Sequence, residues 1–166
     1  MSRAELKSYH RSKFKEALLV GGCFALGALP ASALTLWLAA VKSPLQWLIL
    51  TSVIAAFITG TLLWRTVFGH GRKPTFWRGA GVGALVVIAA HPLAWYLLFL
   101  LLYFSGIPSS IPERTVHPLG GLVASISAGA ISLLVLGWIT IPVGGLIGGG
   151  LGNAAGQEWE KSPGLQ

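Results

Sequence analysis

Four long stretches of the sequence contain no Asp, Glu, Lys or Arg, and they constrain the fold more than any other feature. They cover residues 17–41, 45–64, 79–104 and 119 to about 151. Because the hydrocarbon core of a bilayer is about 30 Å thick, a helix needs about 20 apolar residues to cross it, and each stretch is long enough. The sequence therefore predicts an all-α integral membrane protein, a bundle of about four transmembrane helices.

A closed β-barrel is the other structure that can satisfy its backbone in lipid, and the sequence argues against it. Barrel strands alternate apolar and polar residues, whereas residues 97–102 read LLFLLL. The composition excludes a soluble domain, because 10% of the residues are charged, against about 25% in soluble proteins. Much of the protein surface must therefore face lipid.

Basic residues predict the orientation of the bundle. Ten of the 12 Lys and Arg residues lie before residue 17, in the loop at residues 65–78 or in the tail, and Lys42 and Arg114 lie on the other side. The positive-inside rule then places both termini in the cytoplasm, most simply at the cell (inner) membrane. Trp47 and Trp64 are predicted to sit at the two membrane interfaces, and Trp138 to pack between helices. Charges so distributed indicate anionic lipid rather than nucleic acid as the partner.

The chain divides into a basic arm at residues 1–16, a transmembrane domain at residues 17–151 and a cytoplasmic tail at residues 157–166. The arm is either an interfacial helix on anionic lipid or a frayed segment that serves topology alone. A cleaved secretory signal ending near residue 33 is the less favoured alternative, because apolarity continues to Val41. Five basic residues are the predicted lipid-headgroup contacts: Arg11, Lys13, Lys15, Arg72 and Lys73.

The fourth apolar stretch is too long for one ordinary span, and it contains Pro142. Proline removes a backbone donor and crowds the preceding turn, so we expect the helix to be kinked or broken near Pro142. The span then covers about residues 119–141, with a glycine-rich extension to residue 156. That extension could tilt, project into the cytoplasm or fold back, and two short spans are a less favoured alternative.

Glycines recur every four residues in this extension, at Gly144, Gly148, Gly152 and Gly156. On a helix this spacing forms one stripe, a glycine zipper, on which another backbone can pack closely. The stripe could serve self-association or a partner membrane protein, or it could pack inside the protein's own bundle. A pore lined by the stripe has less support, because no charges accompany it.

His91 is the one intramembrane candidate for chemistry, and it immediately precedes Pro92. A proton relay, haem site or metal site would need a second suitable group, yet no carboxylate lies in any predicted span. The favoured interpretation is a neutral His91 hydrogen-bonded to a neighbouring helix, with no cofactor and no metal. A second candidate is the outer-loop polar cluster of Glu113, Arg114 and His117, which could bind a polar ligand or be an ordinary solvated loop.

No catalytic motif is present in the sequence, so an enzyme is the least favoured class. The leading hypothesis is a small membrane scaffold or accessory subunit that acts through glycine-mediated helix contacts. The alternative is a channel or transporter component with a pathway near His91. A water-accessible cavity that reaches His91 would distinguish the second hypothesis from the first.

Overall fold

The computed structural model describes residues 3–39, 47–69, 72–106 and 117–160. Four helices account for nearly all of these residues, and no strand occurs among them. The helices are α1 (Arg3–Ala39), α2 (Leu48–Phe68), α3 (Phe76–Ser105) and α4 (Pro118–Glu160). The all-helical class predicted from the apolar stretches is confirmed.

Three of these helices, α2, α3 and α4, are long and apolar enough to cross a membrane, which indicates a membrane protein. Helices α2 and α3 begin and end within a few residues of the ends of their predicted spans. Helix α4 also begins close to the start of its predicted span, but it continues to Glu160. The first predicted span covers residues 17–41, and its last residues fall in the segment 40–46, which lies outside the described part. This span therefore stays a prediction. Helix α1 is continuous from residue 3 into this span, so the basic arm and the apolar stretch form one helix.

Helix α4 runs without interruption through Pro142. Its 43 residues correspond to about 65 Å at 1.5 Å per residue. The break that we expected is therefore absent, the extension does not fold back, and a kink at Pro142 stays a prediction. Pro142 is exposed, away from the packed face of α4. In lipid an interrupted helix would leave several backbone groups unsatisfied, whereas a proline within a continuous helix removes a single donor.

Helices adjacent in sequence pack against each other, and the α3–α4 pair makes the most extensive contact. Helices α1 and α4 contact each other far less, so packing around the ring of four helices is least extensive between these two. The main core lies toward the end of the bundle where α2 ends and α3 begins, which we call the basic end. Its largest buried side chains include Trp64 and Phe68, which belong to the same buried cluster as Phe24 of α1 and Val82 of α3.

The tryptophans differ in part from their predicted positions. Trp64 is 2% exposed, and its indole Nε1 donates to Glu16 Oε1 of α1 at 3.2 Å, so it is a core residue rather than an interface anchor. Trp138 is 73% exposed and does not pack between helices. Its indole donates to the carbonyl of Val135 on its own helix, which satisfies the polar group and leaves the ring available to lipid.

Candidate functional site

The glycine stripe of α4 packs against helix α3 of the same chain. Gly144, Gly148, Gly152 and Gly156 are all buried. A Cβ atom built on Gly152 would lie 2.6 Å from the carbonyl oxygen of Thr75, and one built on Gly156 would lie 2.6 Å from that of Pro74. The stripe is therefore covered along its length by α3 and the residues just before it.

Two glycines of α3 complete this contact from the other side. A Cβ on Gly79 would overlap the carbonyl oxygen of Gly148, and a Cβ on Gly83 would overlap that of Gly144. The two backbones are consequently in direct contact, which permits dispersion and weak Cα–H···O interactions along the pair. The stripe therefore packs on a helix of its own chain, which corresponds to the alternative in which it packs inside the protein's own bundle.

A cavity of about 560 Å³ lies between the four helices and is partly open to the outside of the bundle. All four helices contribute to its wall, which is mainly apolar. No Asp, Glu, Lys or Arg occurs among the described lining residues. Six lining side chains carry a polar atom: Ser32, Ser52, His91, Trp95, Ser132 and Thr140.

His91 lies in this wall between two hydroxyl groups of α4. Its Nδ1 is 2.8 Å from Ser132 Oγ, and its Nε2 is 3.5 Å from Thr140 Oγ1. The Thr140 hydroxyl donates to the carbonyl of Leu136 at 3.1 Å, so toward His91 it can only accept. We therefore assign the hydrogen of the neutral imidazole to Nε2, with Nδ1 accepting from Ser132.

Close contact of α3 and α4 near Pro92 brings these groups together. A Cβ on Gly129 would lie 2.7 Å from Pro92 Cα and 2.8 Å from its nitrogen. Since Gly129 has no side chain, the two helices approach at this level and Ser132, one turn further along α4, reaches His91. The local sequence thus positions the imidazole through a glycine that faces a proline.

The predicted headgroup contacts and the outer-loop residue whose side chains the structure describes do not line the cavity. Lys15, Arg72 and Lys73 are exposed, and Lys73 Nζ forms an ion pair with Glu160 Oε1 at 2.7 Å. The side chains of Arg11 and Lys13 lie outside the described part. His117 is exposed and meets the ring of Tyr103 edge-on at 5.9 Å between ring centroids.

Glu113 and Arg114 also lie outside the described residues, so the outer-loop polar cluster stays a prediction. Within the described ranges, no group of three or more His, Cys, Asp or Glu side chains could hold a metal ion.

Sequence reasoning missed the two partners of His91, Ser132 and Thr140. Their separation of eight residues puts them on one face of a helix, but this spacing is common and does not identify a facing residue. The register between α3 and α4 would have identified one of them. Pairing the glycines of the two helices in antiparallel register, as Gly83 with Gly144 and Gly148, places His91 opposite residues 136–140, which include Thr140 but not Ser132.

Comparison of the chain with protein-family models, curated proteins and solved structures finds no match. Function is therefore inferred from the geometry of the cavity and of the helix contacts.

The hydrogen bond between His91 and Ser132 should be measurable as a coupling energy. We expect a double-mutant cycle of His91→Phe and Ser132→Ala to give about 0.6 kcal/mol and at most about 1.7 kcal/mol, the range of interhelical hydrogen bonds in membranes. Unfolding of the purified protein in detergent would measure it. Strictly additive effects would show that the two side chains do not interact.

Proposed function

We propose that the protein is a binding or transport component of a membrane and that the cavity around His91 is its site. The observation that carries this proposal is a cavity bounded by all four helices, with a hydrogen-bonded imidazole in an otherwise largely apolar wall. Small-molecule sites usually have volumes of about 300–1,000 Å³, apolar walls and a few convergent polar groups, and they often lie between the helices of bundles.

The size of the cavity supports a site rather than a packing defect. Protein interiors are close-packed and leave few voids larger than a water molecule, so a volume of 560 Å³ far exceeds an ordinary packing gap. Because the cavity is partly open to the outside of the bundle, molecules from the surroundings can enter it. This space is therefore available to an occupant.

A scaffold or accessory-subunit role, the leading hypothesis from the sequence, would need a surface other than the glycine stripe. The stripe is already packed on α3. The exposed apolar side chains of α4, such as Leu134 and Trp138, are expected on any lipid-facing helix and do not by themselves indicate a protein partner. For this reason we rank the scaffold second.

The proposed orientation keeps both termini and the basic end in the cytoplasm of a cell. Exposed Lys15, Arg72 and Lys73 support contacts with anionic headgroups at that end. In a Cys23→Ser background, Arg72→Cys should then react with a membrane-impermeant maleimide only after the cells are permeabilised. Equal labelling in intact cells would reverse the proposed orientation.

The proposed function predicts that filling the cavity removes its occupant. Ala90 lines the cavity on α3, whereas Ile88, on the same helix, is 42% exposed and does not line it. We expect native mass spectrometry of the protein in lipid nanodiscs to detect a bound molecule in the wild type and in Ile88→Phe. Ala90→Phe should lose about 90% or more of this occupancy, because its ring takes the space. Equal occupancy in all three proteins, or none in the wild type, would contradict the proposed function.

A further inference from the structure

We propose that the cavity binds a neutral, mainly apolar molecule that carries an acceptor oxygen, which His91 recognises, and that this molecule enters sideways from the bilayer between α1 and α4. This inference rests on the proposed function and adds the chemical class of the ligand and its route. A long-chain alcohol, ketone or ester has the required chemistry.

The wall of the cavity excludes a charged ligand. None of its described residues carries a fixed charge that could pair with a charged ligand. A charged ligand that moved from water or from the headgroup region into this cavity would lose its hydration and would find no opposite charge to pair with. Desolvation of an unpaired charge costs a large amount of free energy. A neutral molecule avoids this cost.

The hydrogen bonds in the wall indicate which atom of the ligand is recognised. The hydroxyls of Ser32 and Ser52 donate to carbonyls of their own helices at 2.8 and 2.6 Å, so their hydrogens are already used. The His91 Nε2–H has only Thr140 Oγ1 at 3.5 Å, which is a long and weak hydrogen bond. A ligand oxygen that accepts from Nε2–H at normal distance would satisfy this donor better than Thr140 does.

The route follows from the exposure of the residues between α1 and α4. Pro30 of α1 and Ile139 and Val143 of α4 line the cavity, yet all three are exposed on the surface of the bundle. Toward the basic end the gap is closed, since Ile147 Cδ1 lies 2.9 Å from where a Cβ of Gly27 would be. The opening therefore lies beside the exposed apolar side chains of α4, which face lipid in a membrane.

Photo-crosslinking with three diazirine probes of equal chain length tests the ligand class. The probes are a fatty alcohol, the corresponding alkane and a trimethylalkylammonium ion, each added to the protein in nanodiscs. Mass spectrometry of the labelled peptides measures saturable labelling of the cavity wall. We expect the alcohol to label the wall about three- to tenfold more than the alkane, the equivalent of one intramembrane hydrogen bond, and the ammonium ion not to label it.

Variants separate recognition from entry. His91→Phe should reduce labelling by the alcohol to the level of the alkane and leave the alkane unchanged. Ile139→Trp should slow labelling by the alcohol because it narrows the opening. Leu134→Trp is the matched control, since Leu134 is also on α4, is 83% exposed and does not line the cavity. Leu134→Trp and Ile88→Phe should both label like the wild type.

Each contrary result overturns a defined part of the proposal. Saturable labelling by the ammonium ion but not by the alcohol would refute the ligand class and leave the proposed function standing. Alcohol labelling that His91→Phe does not change would refute recognition by His91, and labelling that Ile139→Trp does not slow would refute lateral entry. If no probe labels the wild-type wall above the level of Ala90→Phe, the proposed function itself fails.

Discussion

Replacing Gly83 with leucine is expected to separate α3 from α4 and to lower the melting temperature by roughly 6–12 °C or more. A Cβ at this position would overlap the carbonyl oxygen of Gly144 and lie 3.1 Å from Gly148 Cα, so neither neighbour can rotate away. Overpacking a core usually costs about 1–3 kcal/mol, and a contact between two backbones belongs at or above the upper end, about 3 kcal/mol. Thermal unfolding in detergent, followed by circular dichroism, measures the effect.

Gly81→Leu is the matched control, because Gly81 lies on the same helix and the position should tolerate leucine. Apart from its chain neighbours and its own helix backbone, no atom lies within 4 Å of where its Cβ would be. On α4, Gly148→Leu and Gly150→Leu provide a second test variant and its control. Gly148 touches Gly79 and Gly83, whereas Gly150 faces open space. Equal melting temperatures for Gly83→Leu and Gly81→Leu would refute the packing. If Gly148→Leu instead dissociated an oligomer without lowering the melting temperature, the scaffold hypothesis would take precedence.

Replacing Gly21 with leucine is expected to detach α1 from α2, with a fall in melting temperature of roughly 4–8 °C for a cost of about 2 kcal/mol. A Cβ on Gly21 would overlap the Thr61 hydroxyl and lie 2.9 Å from the carbonyl oxygen of Phe57. Gly60 faces it, with Gly21 Cα 3.3 Å from where its own Cβ would be. Hydrogen exchange should show loss of protection in α1 before α3 and α4, since the contact between those two does not involve α1.

Gly22→Leu provides the control for this interface. Gly22 is the next residue of α1, and apart from its chain neighbours and its own helix backbone no atom lies within 4 Å of the position of its Cβ. We expect its melting temperature to stay close to that of the wild type. Comparable loss of protection in the two variants would show that α1 does not dock through Gly21.

The helices could be predicted from the sequence because their cause is local. A run of 20 or more uncharged apolar residues has few alternatives to a helix in lipid, whatever its neighbours are. Pro142 shows where local reasoning fails. The expected break follows the behaviour of proline in water, where solvent can satisfy the freed backbone groups, and a helix in lipid has no such solvent.

Of the polar residues in the candidate site, the sequence predicted only one. His91 stands out because ionisable side chains are rare within spans, whereas Ser132 and Thr140 are ordinary there. The cavity depends on how far α1 stands from α4, which is a property of the packed bundle and not of either segment. The glycine stripe likewise indicates that a backbone packs on it, but Gly79 and Gly83 of the same chain and a second protein would satisfy it equally well.

The unequal contacts around the ring of helices make the bundle mechanically asymmetric. Because backbone touches backbone at Gly79 and Gly83, α3 and α4 form a stiff unit that cannot be compressed further. The α1–α4 seam has little contact to lose. Because α1 packs more extensively on α2 than α2 does on α3, we expect a change in the contents of the proposed site to displace α1 together with α2. In a bilayer this displacement would change the cross-sectional area of the protein, and lateral pressure from the surrounding lipids would then act on the free energy of filling the site.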